Sequence, residues 1–217
     1  MKKALAEIIA GVIPCKMARN RWRGLLRYGI LNIIRLQYRL RHDHTAPKYY
    51  LAVCAIAKNE GTYFKEWIEW HHKMGVEKFY IYDNESTDCT REVLEPYIKS
   101  GLVDYLYWPG RKRQLAAYDH CFETHRTEAR WIAVIDLDEF IVPIKDSSIP
   151  DFLHRMEKFS VVEINWLVYG SGGAKKREPG GVMERFRCHS LPEHRLNTHV
   201  KSIADPRRVC TMTGCHE

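Results

Sequence analysis

Between Tyr49 and Asp136 the chain alternates between two kinds of hydrophobic pattern, and that alternation constrains its fold more than any other feature. "YYLAVCAIA" (49–57) is an uncharged, mostly apolar run suited to a strand covered on both faces. "TYFKEWIEWHHKMG" (62–75) then places Phe64, Trp67, Ile68 and His71 at i, i+3, i+4 and i+7, the stripe of an amphipathic helix, with Gly75 as its stop. "VEKFYIYD" (76–83) returns to strand. "CTREVLEPYIKS" (89–100) is a helix that Ser86 or Asp88 can cap and Gly101 can end. "LVDYLYW" (102–108), "RQLAAYDHCFETHR" (113–126) and "RWIAVID" (130–136) repeat the strand, helix, strand order. A β-α-β-α-β-α-β run predicts a Rossmann-like α/β fold, with a mostly parallel sheet and helices on both faces.

Beyond residue 140 the regularity falls. "DFLHRMEKF" (151–159) reads as a short helix and "SVVEINWLVYG" (160–170) as a strand. "SGGAKKREPGG" (171–181) is a Gly/Lys-rich loop, and "VMERFRC" (182–188) and "HVKSIADPRRV" (199–209) read as shorter strands around it.

Ligands of open parallel sheets bind beyond the carboxyl ends of the strands. Polar residues collect at those ends: Lys58-Asn59-Glu60 after the first, Asp83-Asn84-Glu85-Ser86 after the second, Arg111-Lys112-Arg113 after the third. The fourth ends in "VIDLDEF" (134–140). Buried carboxylates need a positive partner. If the strand stays regular, Asp136 and Asp138 face the same way, Leu137 faces the core, and Glu139 points off their face. Two hard oxygen donors so spaced suit Mg²⁺ or Mn²⁺ shared with a substrate phosphate; solvated acids at a strand end are the bland alternative. No G-x-G-x-x-G and no G-x-x-x-x-G-K-[ST] occurs, so neither a dinucleotide nor a P-loop is indicated.

Charge separates a second region. The net charge is +7, yet residues 1–41 alone carry ten Lys/Arg against Glu7, leaving the rest at about −2. Trp22, Leu25, Leu26, Ile30, Ile33, Ile34 and Tyr38 fall near helical spacing among those arginines. Residues 1–46 are therefore expected to form a basic amphipathic helical arm, either an anchor on an anionic membrane surface or an extension packed on the domain. No apolar run approaches the ~20 residues of a membrane span. Seven scattered cysteines show no disulfide framework, which favours a reducing, cytoplasmic setting; Cys210-x4-Cys215-His216 is at most a fragment of a zinc site.

"AIAKNEGTYFKEWIEWHHKMGVEKFYIYDNESTDCT", "WIAVIDLDEF", "NWLVYGSGG" and "KSIADPRRV" followed by "GCHE" together resemble the glycosyltransferases of family 92 and, more loosely, the family 2 transferases of GT-A fold. The resemblance covers roughly residues 50–217, and it assigns residues 47–217 to a GT-A-like domain. Tyr169 stands where the family's W-x-x-F-G segment more commonly has Phe, and members usually continue past the final His, so the chain is expected to be shortened at its C-terminus.

The resemblance implies a UDP-sugar or other nucleotide-sugar donor, a glycan or lipid-linked acceptor, Mn²⁺ or Mg²⁺, and an inverting transfer in polysaccharide assembly at the inner face of a membrane. In that frame Asp136 and Asp138 hold the metal, with Asp136 also at the donor and His216 joining the metal or phosphates. Asp83 accepts from the base or ribose, or simply forms a turn. Asn59 and Glu60 lie near the same base, and either can also serve the start of the following helix. Arg111, Lys112 and Arg113 neutralise the diphosphate or form a solvated run. Trp166 and Tyr169 wall the acceptor site, although Trp166 fits a core equally well. Glu163, Glu184 and Glu139 remain open as the general base. Rival readings are a haloacid-dehalogenase-type phosphatase, a nucleotidyltransferase, a basic-arm nucleic-acid binder and an inactive transferase fragment. The phosphatase motif belongs after a first strand, and no nucleic-acid-binding motif accompanies the arm.

Overall fold

The computed structural model, which describes residues 29–176 and 179–209, forms the alternating elements in the expected order. After helix α1 (Ile30–His42) come β1 (Tyr49–Ala57), α2 (Gly61–Lys73), β2 (Lys78–Asp83), α3 (Thr90–Lys99), β3 (Val103–Tyr107), α4 (Gln114–Thr124) and β4 (Ala129–Val134). Then follow α5 (Ile149–His154), β5 (Val161–Asn165), β6 (Tyr169–Gly170), α6 (Val182–Arg185), β7 (Cys188–His189) and β8 (Val200–Ala204), with 3-10 turns at Arg195–Thr198 and Pro206–Arg208. One six-stranded sheet has the order β3-β2-β1-β4-β8-β5, and β6 and β7 form a separate two-stranded ribbon. The pairs β1–β2, β1–β4 and β2–β3 are parallel, whereas β8 runs antiparallel to both β4 and β5.

The period-two alternation of β1 explains the layers. Leu51, Val53, Ala55 and Ala57 enter one core cluster with Phe64, Trp67 and Ile68 of α2 and Leu94 of α3. Ala52 and Cys54 enter the other, with Ala117, Tyr118, Cys121 and Phe122 of α4. Helices therefore cover both faces, which is why the central strands tolerate so little polarity. Two glycines are needed for geometry. Gly75 ends α2 at φ 100°, and a side chain on Gly61 would sit 2.8 Å from the Thr90 backbone nitrogen. That close approach joins the N-termini of α2 and α3, and Asp88 serves both: its carboxylate accepts from Gly61 N at 2.9 Å and Thr90 N at 3.0 Å.

The departures lie after residue 140. The strand expected over 160–170 ends after Asn165: Trp166 N still donates to His199 O in the β5–β8 register, but Val168 N donates to the Asn197 side chain instead of to a partner strand. "VMERFRC" begins as a helix and only its end is a strand. The Glu184 carboxylate turns back to Gly181 N at 3.4 Å, and Glu66 of α2 accepts from Val182 N and Met183 N, which is helix-start chemistry. The helix expected over 151–159 starts earlier, at Ile149, because Ser148 caps it through Asp151 N.

α1 is tied to the α/β body near its end. Arg39 donates to Glu123 at 2.7 Å and Arg126 pairs with Asp43 at 2.8 Å. Trp22, Leu25 and Leu26, and Cys210, Cys215 and His216, lie outside the described residues. Cys54, Cys89, Cys121 and Cys188 are free thiols. No helix among the described residues is long and apolar enough to cross a membrane.

Candidate active site

The strand order fixes where a ligand can sit. From β1 the chain steps outward to β2 and β3, then returns to place β4 on the other side of β1. The crevice between the carboxyl ends of β1 and β4 is the topological switch point, where connections leave in opposite directions and open a gap. Asn59 and Glu60 follow β1 there, and Asp136 to Glu139 follow β4.

β4 does not run on through the acidic residues. It ends at Val134, and residues 136–139 form a turn closed by Glu139 N donating to Asp136 O at 3.2 Å. Leu137 is buried as expected, but Glu139 does not point away. Its carboxylate folds back to accept from Asp136 N at 3.1 Å. Helix α2 grips the turn from behind. Trp67 Nε1 donates to both Asp136 O (3.1 Å) and Glu139 O (3.0 Å), and Trp70 Nε1 donates to Ile141 O at 3.1 Å. The fully buried His71 accepts from Ile141 N through Nε2 at 3.2 Å while Nδ1 meets Trp67 O at 2.8 Å. Only the neutral imidazole protonated on Nδ1 satisfies both contacts, and burial pushes the His71 pKa down to about 4 against the pull of the Trp67 carbonyl.

The positive charge that "VIDLDEF" calls for comes first from Lys201. Its ammonium lies 2.7 Å from Asp136 Oδ2 and 3.1 Å from Glu139 Oε2, with the side chain 6% exposed. Burial lowers the Lys201 pKa, but the two carboxylates outweigh that and raise it. Lys201 reaches the turn because β8 inserts antiparallel beside β4. With Ala133 opposite Ile203, continuing that register sets Lys201 level with Ile135. Gln114, the first residue of α4, donates to Asp136 Oδ1 at 3.3 Å. Neither Lys201 nor Gln114 is marked as a site residue by the sequence alone.

One ammonium does not neutralise the site. Burial, and then the charges of Asp138, Asp136 and Asp88, push the half-buried Glu60 up to about pH 7. Among the described residues, Lys201 is the one cation paired with any of Glu60, Asp88, Asp136, Asp138 and Glu139. Hard carboxylate oxygens at a crevice, with Glu60 raised first by its own burial and then by the charges beside it, suit a divalent cation of the Mg²⁺ or Mn²⁺ kind, although among the described residues it is Asp104, His125 and Glu128 that bring three ligand atoms within 4.8 Å of one another.

The remaining candidates are spread more widely. Asn59 has φ 58° and links the loops after β1 and β2, donating from its N to Ser86 Oγ and accepting from Thr87 N at Oδ1. It does not cap α2. Asp83 is buried, and its two oxygens accept from Ser86 N at 3.0 Å and Tyr105 OH at 2.5 Å. Arg111 and Arg113 are exposed, and the Arg113 guanidinium lies over Trp108 at 5.0 Å. Trp166 comes to the site: the Lys201 ammonium is 5.8 Å from its ring centroid. Tyr169 is exposed on the β6–β7 ribbon, its ring against His189. Of the three general-base candidates only Glu139 reaches the turn. Glu163 pairs with Ser202 on β5 and so lies on the sheet face opposite Lys201. Glu184 lines a separate cleft with Arg185, Arg187 and Cys188.

Comparison with known proteins agrees with the resemblance in the sequence. The family model for glycosyltransferase family 92 matches residues 49–216. A family 92 protein of Oryza sativa subsp. japonica is 32% identical over 159 residues, covering 71% of this chain and 27% of its own. A family 92 protein of Ricinus communis is 28% identical, covering 71% and 29%. The chain thus spans less than a third of the length of these relatives. Among solved structures, the mannosyltransferase PcManGT from Pyrobaculum calidifontis, in complex with GDP-Man and Mn²⁺, superposes with a TM-score of 0.36 at 14% identity, covering 64% of this chain and 39% of that one. S. aureus TarS 1–349 in complex with UDP-GlcNAc superposes with a TM-score of 0.42 at 16% identity, covering 59% and 37%. From the match over residues 49–216 and the shared identity with the rice protein, the chain belongs to glycosyltransferase family 92.

Proposed function

We propose that this chain is a metal-dependent, inverting glycosyltransferase that moves a sugar from a nucleoside-diphosphate donor to a glycan or lipid-linked acceptor. The observation that carries this reading is the placement of Glu60 after β1 and of Asp136 and Asp138 after β4, on the two sides of the switch point. A nucleotide-sugar is the ligand class that explains both the family and the site. A planar base would sit over the loops after β1 and β2, with its diphosphate toward the acidic turn. The solved structures with GDP-Man and with UDP-GlcNAc are proteins of the same donor chemistry.

Asp138 and Glu60, with Asp136 behind them, would hold Mn²⁺ or Mg²⁺. That ion would supply the positive charge against which the nucleoside diphosphate leaves. The protein's own contribution is to keep the turn in shape through Trp67 and to supply a buried ammonium at its edge. Trp166, beside Lys201, is the aromatic wall nearest the site and faces the acceptor side. Glu139 is held by Lys201 and the Asp136 amide and so belongs to the scaffold of the turn. Neither Glu163, on the opposite sheet face, nor Glu184, in a separate cleft, is placed to act as the base at this turn.

We also place the protein on the cytoplasmic face of a membrane. α1 exposes Ile34 and Tyr38 one turn apart, with Arg35 and Arg41 exposed beside them, a pattern suited to anionic headgroups. Sedimentation with phosphatidylserine vesicles, compared with phosphatidylcholine vesicles, tests that placement. The test of the activity is calorimetric titration of the full chain with UDP and with GDP, each with and without Mn²⁺, followed by release of the nucleotide from UDP- and GDP-sugars. Metal-dependent binding of one nucleotide is the expected result. A folded protein that binds neither would remove the reading.

A further inference from the structure

The acidic turn contains a division of labour that the D-x-D spacing alone does not reveal. Both oxygens of Asp136 are engaged by the protein, Oδ2 by Lys201 at 2.7 Å and Oδ1 by Gln114 at 3.3 Å. The Oε2 of Glu139 accepts from Lys201 at 3.1 Å and from Asp136 N at 3.1 Å. Asp138, between them, is exposed and has no ion pair or hydrogen bond to the described residues. The turn is thus clamped on two sides: Trp67 holds the carbonyls of Asp136 and Glu139, and Lys201 holds their carboxylates.

A nearly buried ammonium costs several kcal/mol of desolvation unless it is closely paired. A lysine kept at such a position must therefore have its carboxylates at hand. Here they are the first aspartate of the motif and the glutamate that follows it. β8 brings this lysine from 65 residues away, in an orientation opposite to its neighbour β4.

We propose that Lys201 is a positioning residue that serves as the resident cation of the turn. It pairs with both Asp136 and Glu139 and fixes the turn without metal, so that the divalent ion is held by Asp138 and not by both aspartates of the motif. The inference rests on the reading of this crevice as a metal and nucleotide-sugar site. It adds which carboxylates are open to the ion, and what keeps the other two closed.

The expected behaviour differs from that of a lysine that merely supports the fold. In Lys201→Met the turn loses a positive charge and releases the oxygens of Asp136 and Glu139 as hard donors. Mn²⁺ should then bind tighter, by about ten-fold, the effect of one nearby charge, while turnover of the nucleotide-sugar falls. A purely structural lysine would lose metal affinity, turnover and unfolding stability together. Lys201→Arg keeps the charge and should hold Mn²⁺ affinity near that of the wild type. Asp136→Asn should stay within about ten-fold of wild-type affinity, because that oxygen pair already belongs to the protein. Asp138→Asn should lose at least about a hundred-fold.

The experiment is calorimetric titration of Mn²⁺ into the full chain and these four variants without nucleotide, with urea unfolding of each to establish that it is folded. Tighter binding in Lys201→Met, together with unequal losses in the two aspartate variants, establishes the division. Weaker or unchanged binding in Lys201→Met overturns it. So does an Asp136→Asn loss as large as that of Asp138→Asn, which keeps the question decidable if the methionine variant does not fold. A folded wild type that takes up no Mn²⁺ would remove both this inference and the metal in the proposed function. A wild type that binds while the variants break the expected order would remove this inference alone.

Discussion

The turn that follows β4 has two sides built on opposite principles. Behind it, α2 presents Trp67, Trp70 and His71, and every one of their polar atoms that faces the turn is spent on a backbone group between Asp136 and Ile141. In front of it, Glu60, Asp136 and Asp138 face a crevice with more negative charge than Lys201 offsets. The back is saturated and neutral, and it determines shape. The front is under-compensated, which suits the proposed metal and nucleotide. A protein selected only for stability would not keep a half-buried Glu60 whose own burial and neighbouring charges raise its proton affinity. The contrast shows that the fold meets its backbone obligations from behind so that side-chain charge can stay unspent in front.

The largest expected effect separates the two sides by function. Asp138→Asn removes one exposed carboxylate from the front and nothing from the back. Nucleotide-sugar turnover should fall on the order of 10²–10³-fold, the scale for losing a key electrostatic group. The melting temperature should stay within about 2 °C, as for a surface substitution. Wild-type turnover would show that the front is ornament. The reverse experiment is Trp67→Phe. It leaves the carboxylates untouched but strips two hydrogen bonds from the turn and opens space beside a fully buried ring. Stability should fall by about 3–4 kcal/mol, and turnover should fall too because the turn loses its shape. Urea unfolding and a kinetic assay on the same preparation check both.

The back also has its own pH signature. The unfolded chain protonates His71 near pH 6.5, and the folded chain does so only near pH 4. Between those values the unfolded state binds the extra proton, so stability is present above pH 6.5 and is lost as pH falls toward 4. The loss is about 3 kcal/mol for a shift of that size. The groups that face the ring are Trp67 O, Ile141 N and the rings of Trp67 and Phe140, none of which titrates in this range. Stability curves of wild type and His71→Gln across pH 4–8 isolate this slope. Parallel curves would mean that the imidazole is not locked neutral.

The same two sides differ in how far they can be read in the sequence. The strands from Tyr49 to Val134 and the three helices between them follow from local periodicity, because each element is buried on the face its own pattern prescribes. The acidic residues announce themselves because carboxylates after an apolar run need a reason. What stays hidden is long-range. Lys201 reaches Asp136 across 65 residues through an antiparallel strand that interrupts a parallel sheet, and no local pattern specifies that insertion. Trp67 and His71 are legible as the buried stripe of a helix, yet their Nε1 and Nε2 contacts to the turn are matters of tertiary geometry. Glu139 shows the limit of extrapolating a strand: two residues past Val134 the backbone turns, and the alternation rule no longer tells where a side chain points. "VMERFRC" fails for a related reason, since Glu66, more than a hundred residues away, caps the helix there.

The smallest effect, at Glu60, has the opposite sign to that of His71. Glu60 holds its proton up to about pH 7 through its own burial and the charges of Asp138, Asp136 and Asp88. In the metal-free protein the folded state therefore binds the extra proton between the unfolded value near 4.5 and about 7. Stability from this group is full below pH 4.5 and is lost as pH rises through 7. Glu60 is only half-buried, so solvent screening leaves an effect on the order of 1 kcal/mol. Glu60→Gln should flatten that part of the curve while leaving the acid-side slope of His71 intact. Mn²⁺ should do the reverse in the wild type. An ion that binds the deprotonated carboxylates gains affinity as pH rises from 6 to 8, so its stabilisation should be greater at pH 8 than at pH 6. Unfolding curves at four pH values, with and without Mn²⁺, carry both tests. An ion effect independent of pH would mean that Glu60 is not among its ligands, and would leave Asp138 as the front's one open carboxylate.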